Sequence, residues 1–286
     1  MTRIAVIGGG TIGEALVSGL LKNGFATKDL VVAEKFEERR EELSRTYSIR
    51  VTDSTSDAAE GADVVVVAVK PNDVDVVVTA LAAVDAGNDD EQILVSLAAG
   101  IPTVRYETKL PAGFPVVRVM PNTPMLVGEG ASVLSAGRYV KQQHLDTVRE
   151  ILASVGTVSV VPESQIDAVT AVSGSGPAYF FLVAEAMIDA GVSLGLTRAV
   201  ATDLVVQTMT GSAAMLARSG DNAADLRAAV TSPGGTTAAA VRELERGGLR
   251  TAFYEALDAA KRRSAQLGAG SDQPSPPARE GLSGTV

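Results

Sequence analysis

The ten residues Ile4-Ala-Val-Ile-Gly-Gly-Gly-Thr-Ile-Gly13 constrain this chain more than any other stretch. Residues 3–7 read as a short buried strand, and residues 14–21 continue as an apolar-periodic helix. Between them Gly8, Gly10 and Gly13 stand in the G-x-G-x-x-G spacing. Each glycine has a separate physical task. Gly8 permits the tight strand-to-helix turn, Gly10 lets a pyrophosphate approach the backbone, and Gly13 lets the helix lie close on the sheet. The N–H groups of the first helical turn, including those of Thr11 and Ile12, then face an anion, and the helix dipole favours negative charge there. The motif follows a strand and opens a helix, which is the context it needs to hold a dinucleotide.

Composition removes several chemistries. The 286 residues contain no cysteine and one histidine, so disulfides, thiolate nucleophiles, Cys-ligated metals and Ser-His-Asp hydrolysis are nearly excluded. The histidine, His144, lies in a polar segment and reads as a surface helix residue. A formal net charge of −9 argues against a nucleic-acid surface. The first strand begins by residue 3, which leaves no room for a signal peptide, and no uncharged apolar run reaches membrane-span length. A cytoplasmic protein without membrane contact is the expectation.

Strands and helices alternate over residues 1–162. Leu30-Val-Val-Ala33 is a second strand, ending at Glu34 and Lys35. An acid about 20 residues past the glycine motif is where NAD-binding folds hold the ribose 2′-hydroxyl. Lys35, Arg39 and Arg40 follow closely and could hold a 2′-phosphate instead, so NAD and NADP both remain open; Glu34 could also simply favour a helix N-terminus. Residues 37–47 read as a charged helix, 49–51 as a strand and 53–59 as a turn with a short helix. Residues 63–69 are the β-branched run of a central parallel strand. It stops at Lys70 and Pro71, and a carboxyl end there makes Val69 and Lys70 cofactor neighbours, or Lys70 merely marks a sheet edge. A helix over 73–84, an acidic loop over 85–91 and strands over 92–97 and 115–120 follow. Asn122 and Thr123 sit between two prolines. Strand 131–134, helix 142–155 and strand 157–161 complete a doubly wound α/β sheet.

After Pro162 the pattern is all-helical to about residue 267, with small apolar faces that suit packing against a second copy. Residues 268–286 are rich in Gly, Ser and Pro and are expected to be disordered. Two hydroxyl-and-glycine segments open onto helices here. One is Ser173-Gly-Ser-Gly-Pro177, with Ser175 at its centre; the other is Ser232-Pro-Gly-Gly-Thr-Thr237. Ser232, Gly234, Gly235, Thr236 and Thr237 form a credible cradle for a substrate carboxylate, the alternative being ordinary helix capping. Neither segment holds Lys, His, Asp or Glu. Ketone reduction needs a proton donor, whereas a cyclic imine that binds protonated accepts hydride without one. Thr237, able to hydrogen-bond the ring nitrogen, is the catalytic candidate; Tyr179 is a further possible donor, though a buried helix aromatic is the better reading of it.

Taken together, these segments resemble the pyrroline-5-carboxylate reductases. The resemblance runs from residue 3 to about 266 and rests on Ile7-Gly-Gly-Gly-Thr-Ile-Gly13, Ala68-Val-Lys-Pro71, Ser96-Leu-Ala-Ala-Gly-Ile101, Arg118-Val-Met-Pro-Asn-Thr-Pro124, Ser173-Gly-Ser-Gly-Pro-Ala178 and Ser232-Pro-Gly-Gly-Thr-Thr237. It implies a Rossmann-type domain over 1–162 and an all-α dimerisation and substrate domain over 163–267. It also implies NADP or NAD as cofactor and reduction of 1-pyrroline-5-carboxylate to L-proline. Gly8 to Ile12 would hold the pyrophosphate and Ala68 to Pro71 lie by the riboses. Asn122 would approach the nicotinamide, and Thr237 the imine nitrogen. The family forms homodimers, often as rings of five dimers. Two other readings are a 3-hydroxyacid dehydrogenase, whose lysine on the long second-half helix is missing here, and a non-enzymatic nucleotide-binding protein.

Overall fold

A computed structural model describes residues 2–84 and 92–269. The acidic loop at 85–91 and the tail from 270 onward lie outside the described residues; the expected tail's first residue, Gly268, instead ends the last helix.

The first half is an eight-stranded sheet of order β3-β2-β1-β4-β5-β6-β7-β8. Its strands are β1 (Ile4–Ile7), β2 (Leu30–Ala33), β3 (Arg50–Thr52), β4 (Val64–Val67), β5 (Ile93–Ser96), β6 (Val116–Met120), β7 (Gly130–Ala136) and β8 (Gly156–Val160). Helices α1 (Thr11–Lys22), α2 (Glu37–Tyr47), α3 (Thr55–Ala59), α4 (Val74–Ala82), α5 (Thr103–Glu107) and α6 (Gln142–Ala153) cover its two faces. All four residues of β1, β4 and β5 are buried. That suits Val and Ile, whose branched side chains pack on both sides of a covered parallel sheet. Register decides where function can sit. Ala33, Ile7, Val67 and Ser96 lie side by side at the carboxyl ends of β2, β1, β4 and β5. The segments that follow them therefore emerge along one edge. Backbone bonds continue the alignment, from Gly8 N–H to Ala33 O at 2.8 Å and from Ala68 N–H to Ile7 O at 2.8 Å.

Two features depart from the sequence expectation. β7 runs antiparallel to β6. The link between them, residues 121–129, holds only the 3-10 turn Thr123–Val127, and a parallel return would need a crossover of a dozen or more residues. Helix α5 was not anticipated, because it is a single turn with little periodicity. It is fixed by contacts distant in sequence: Thr103 donates its N–H and Oγ1 to Glu163 at 2.8 and 2.7 Å. Tyr106 shares a 2.5 Å hydrogen bond with Ser96 Oγ, and burial pushes the Tyr106 phenol up to about 12. His144 corrects a further expectation. It is 3% exposed rather than on the surface, and its Nδ1 accepts the Lys141 N–H at 3.1 Å in the first turn of α6.

The second half comprises α7 (Ile166–Val169), a π-helical turn (Thr170–Gly174), α8 (Gly176–Ser193), α9 (Arg198–Arg218), α10 (Ala223–Ala229), α11 (Thr236–Arg246) and α12 (Leu249–Gly268). α8 packs along α9, and α12 lies against α7 and the π turn, where Ser264 Oγ donates to Asp167 at 2.7 Å. Its last turn reaches Gly100 after β5, close enough that a Cβ on Gly100 would meet Leu267 at 3.0 Å. Phe180, Phe181, Leu182, Leu204 and Val206 stay exposed. The helical run Glu163–Ser193 is long and apolar enough to cross a membrane by length and composition, but it carries Glu163, Asp167, Glu185 and Asp189 and so is not an uncharged run. It is interrupted by the π turn and by Pro177.

Candidate functional site: a nucleotide cleft and a hydroxyl loop

The carboxyl edge of the sheet opens into a cleft of about 1190 Å³. Gly8, Gly10, Glu34, Lys35, Ala68, Val69 and Lys70 all line it. The glycine loop has the shape a dinucleotide requires. Gly8 has φ +107°, and a Cβ there would sit 2.8 Å from Ala68 O. A Cβ on Gly13 would fall on Gly8 O, whereas one on Gly10 would meet nothing within 4 Å. Gly10 thus faces open cleft, with α1 beginning at Thr11 and no side chain capping it. The first-turn N–H groups of Thr11, Ile12 and Gly13 are left for an anion. Ile12 itself packs on the core, so it can contribute only backbone. Pro71 starts the 3-10 turn Pro71–Asp73 that closes the β4 side. The residues present fit a bound nicotinamide dinucleotide.

An ionic brace holds this loop from behind, and the sequence did not announce it. Arg39, a candidate 2′-phosphate ligand by sequence, donates Nε to Gly9 O at 2.9 Å and ion-pairs with Glu14 and Glu42. Tyr47 donates to Glu14 at 2.9 Å. Burial pushes the Glu14 carboxyl up, but the bonds from Arg39 and Tyr47 outweigh it and hold the group below its ordinary range. Glu34 completes the frame by accepting the N–H of Gly9 at 2.9 Å and of Phe36 at 3.0 Å. A charge pattern at i, i+3 in α2 is visible in sequence; its aim at Gly9 is not.

Asn122 lies off the cleft lining. Its Oδ1 accepts the Ala131 N–H at 2.8 Å, and its Nδ2 donates to Ser173 O at 3.1 Å. It ties the loop after β6 to the π turn ahead of α8. Ser175, half-buried, sends its N–H to Thr170 O at 2.8 Å and leaves its hydroxyl without a partner among the described residues.

The second loop opens onto α11 without a side-chain cap. The N-cap of α11 is Gly235, with no side-chain cap bond. Gly234 holds φ +71°, and Gly235 N–H donates to Ser232 O at 3.0 Å, closing a tight turn. Among the described residues, the hydroxyls of Ser232, Thr236 and Thr237 make no hydrogen bond. An uncapped helix start leaves its first N–H groups without intrahelical partners, and such groups can receive an anion. It does not line the nucleotide cleft within this chain.

Comparison with known proteins decides the family. The chain is 57% identical to the pyrroline-5-carboxylate reductase of Mycobacterium tuberculosis, over 93% of its own length and 97% of that protein's. It belongs to the pyrroline-5-carboxylate reductase family. A family model described as pyrroline-5-carboxylate reductase dimerisation matches residues 163–267, and one described as NADP oxidoreductase, coenzyme F420-dependent, matches residues 3–100. Solved reductases share the architecture. The Coxiella burnetii structure aligns with a TM-score of 0.88 at 37% identity, covering 93% of this chain and 98% of that one. The Plasmodium falciparum structure, which has NADP bound, aligns with a TM-score of 0.83 at 29% identity over the same shares.

Proposed function

We propose that this chain reduces 1-pyrroline-5-carboxylate to L-proline with a reduced nicotinamide dinucleotide, as the last step of proline biosynthesis in the cytoplasm. The observation that carries the reading is the pairing of a glycine-loop cleft with a loop whose hydroxyls and helix amides are unspent and which has no acidic or basic side chain of its own. When bound, the dinucleotide supplies hydride to the imine carbon. Gly8, Gly10, Thr11, Ile12 and Gly13 hold the pyrophosphate through backbone amides. Ala68, Val69, Lys70 and Pro71 form the wall beside the riboses. Ser232 and the amides from Gly234 to Thr236 hold the substrate carboxylate. Thr237 hydrogen-bonds the ring nitrogen and keeps the C=N bond oriented; a protonated imine asks no general acid of the protein. Asn122 fixes the loop after β6 against the segment carrying Ser175.

The reading includes a division of labour at residue 162, with the nucleotide held before it and the substrate after it. It also requires a homodimer. Exposed apolar faces on α8 and α9 suit burial against a second copy, and a partner's loop over 232–237 would then complete each cleft. Assembly of five such dimers extends the same proposal. A 3-hydroxyacid dehydrogenase is disfavoured because α8 carries no lysine.

Purified protein should oxidise NADH or NADPH when given pyrroline-5-carboxylate and ignore 3-oxoacids. Absence of turnover with the imine sinks the proposal.

A further inference from the structure

We infer that this chain favours NADH over NADPH, with Glu34 as the residue that discriminates. The inference rests on the dinucleotide reading above and sharpens it. Glu34 stands at the carboxyl end of β2 and lines the cleft. Its carboxylate is held there by the N–H groups of Gly9 and Phe36. Two backbone donors leave a carboxylate with lone pairs to spare, since it offers about four acceptor sites. A ribose 2′-hydroxyl can donate to one of them. A 2′-phosphate can only accept, and it carries a charge of about −1.5 to −2.

The neighbouring cations are committed elsewhere. The Arg39 guanidinium is spent on Gly9 O, Glu14 and Glu42. Arg40 donates to the carbonyls of Glu34 and Lys35 at 3.1 and 2.8 Å. Lys35 reaches Asp73 at 3.6 Å. Lys70 has no charged partner among the described residues, but it follows β4, two strands from β2, or roughly 10 Å at ordinary strand spacing. The rim is anionic as well. Glu34, Glu37, Glu38, Glu42, Asp53 and Asp73 line it against Lys35, Arg39 and Lys70, so carboxylates outnumber cations there by six to three. A phosphate placed on the 2′ position meets like charge at the closest contact and around it.

The test measures equilibrium binding of NADH and NADPH to the full-length protein, without substrate, by nucleotide fluorescence. Wild type should bind NADH at least about tenfold more tightly, a difference of about 1.4 kcal/mol. Glu34→Gln keeps the shape and one acceptor oxygen while removing the charge. It should tighten NADPH binding, weaken NADH binding and bring the ratio to within about threefold. Lys35→Ala, which removes the nearest exposed cation, should move that ratio by less than about twofold. Equal or tighter NADPH binding by wild type overturns the inference, as does an unmoved ratio in Glu34→Gln or a selective NADPH loss in Lys35→Ala. If NADPH wins while pyrroline-5-carboxylate still turns over, only this inference falls. If neither dinucleotide binds, the proposed function falls with it.

Discussion

Glu163 follows the last strand, β8, by three residues, and it ties the sheet to the segment that leads into the helices through one buried cation. The Arg118 side chain is 7% exposed and that of Glu163 29%, with Nη1 to Oε1 at 3.2 Å. At an effective dielectric of about 20, unit charges at that distance attract by about 5 kcal/mol. Partial exposure of Glu163 reduces this. Removing the carboxylate, however, also takes the acceptor from Thr103 N–H and Oγ1. An orphaned buried charge costs about 3–5 kcal/mol, so Glu163→Ala should destabilise by about 3 kcal/mol. The melting temperature should then fall by about 6–12 °C. Glu163→Gln keeps an oxygen for Thr103 and should lose about half as much. The decisive variant is Glu163→Ala combined with Arg118→Met, in which no uncompensated charge remains; it should recover more than about 1 kcal/mol over the single change. Circular dichroism melts at one fixed protein concentration measure all three. A double variant no more stable than Glu163→Ala would show that the pair is not what anchors the junction.

Gly10→Val should abolish dinucleotide binding with little change in melting temperature, because Gly10 has φ −71° and an added Cβ meets nothing within 4 Å. Calorimetric titration of the folded variant checks this, and retained affinity would mean the loop does not hold the pyrophosphate. Thr237→Ala should lower kcat by about tenfold or more while leaving dinucleotide affinity and the melting curve alone, since the hydroxyl is unspent among the described residues. Equal loss of nucleotide binding would place Thr237 in the wrong role. The depressed Glu14 carboxyl predicts an acid limit. A lowered folded pKa contributes stability that is fully present above the ordinary glutamate value of 4.5 and lost as pH falls through the lower folded value. Stability measured from pH 6 to pH 3 should therefore fall less steeply in Glu14→Gln than in wild type, and parallel curves would refute the brace.

What could be read from the sequence is what short-range rules determine. The glycine spacing, the β-branched run at β4 and the helix over Glu37–Tyr47 each carry their own signal, and each lies where expected. The features that escaped depend on distant partners. α5 is held by Glu163, 60 residues on. The direction of β7 follows from the length of the link before it and not from its own residues. His144 sits among polar neighbours in sequence yet turns inward to receive the Lys141 N–H. Arg39 has the composition of a solvated face; only the packing of α2 behind the loop directs it to Gly9 O. The hydroxyl loop stands out in the sequence, but its absence from the lining of the nucleotide cleft does not, because that depends on how the helices pack.

The bare apolar flanks of α8 and α9 carry a consequence for how this protein comes into being. In the proposed homodimer, a chain just released from the ribosome presents oily surface that is buried only on encounter with a sibling. Its solubility, its melting point and its turnover should therefore all rise with concentration over the same range. Dilution would then inactivate it by unmaking the folded unit, well before any individual chemical group failed.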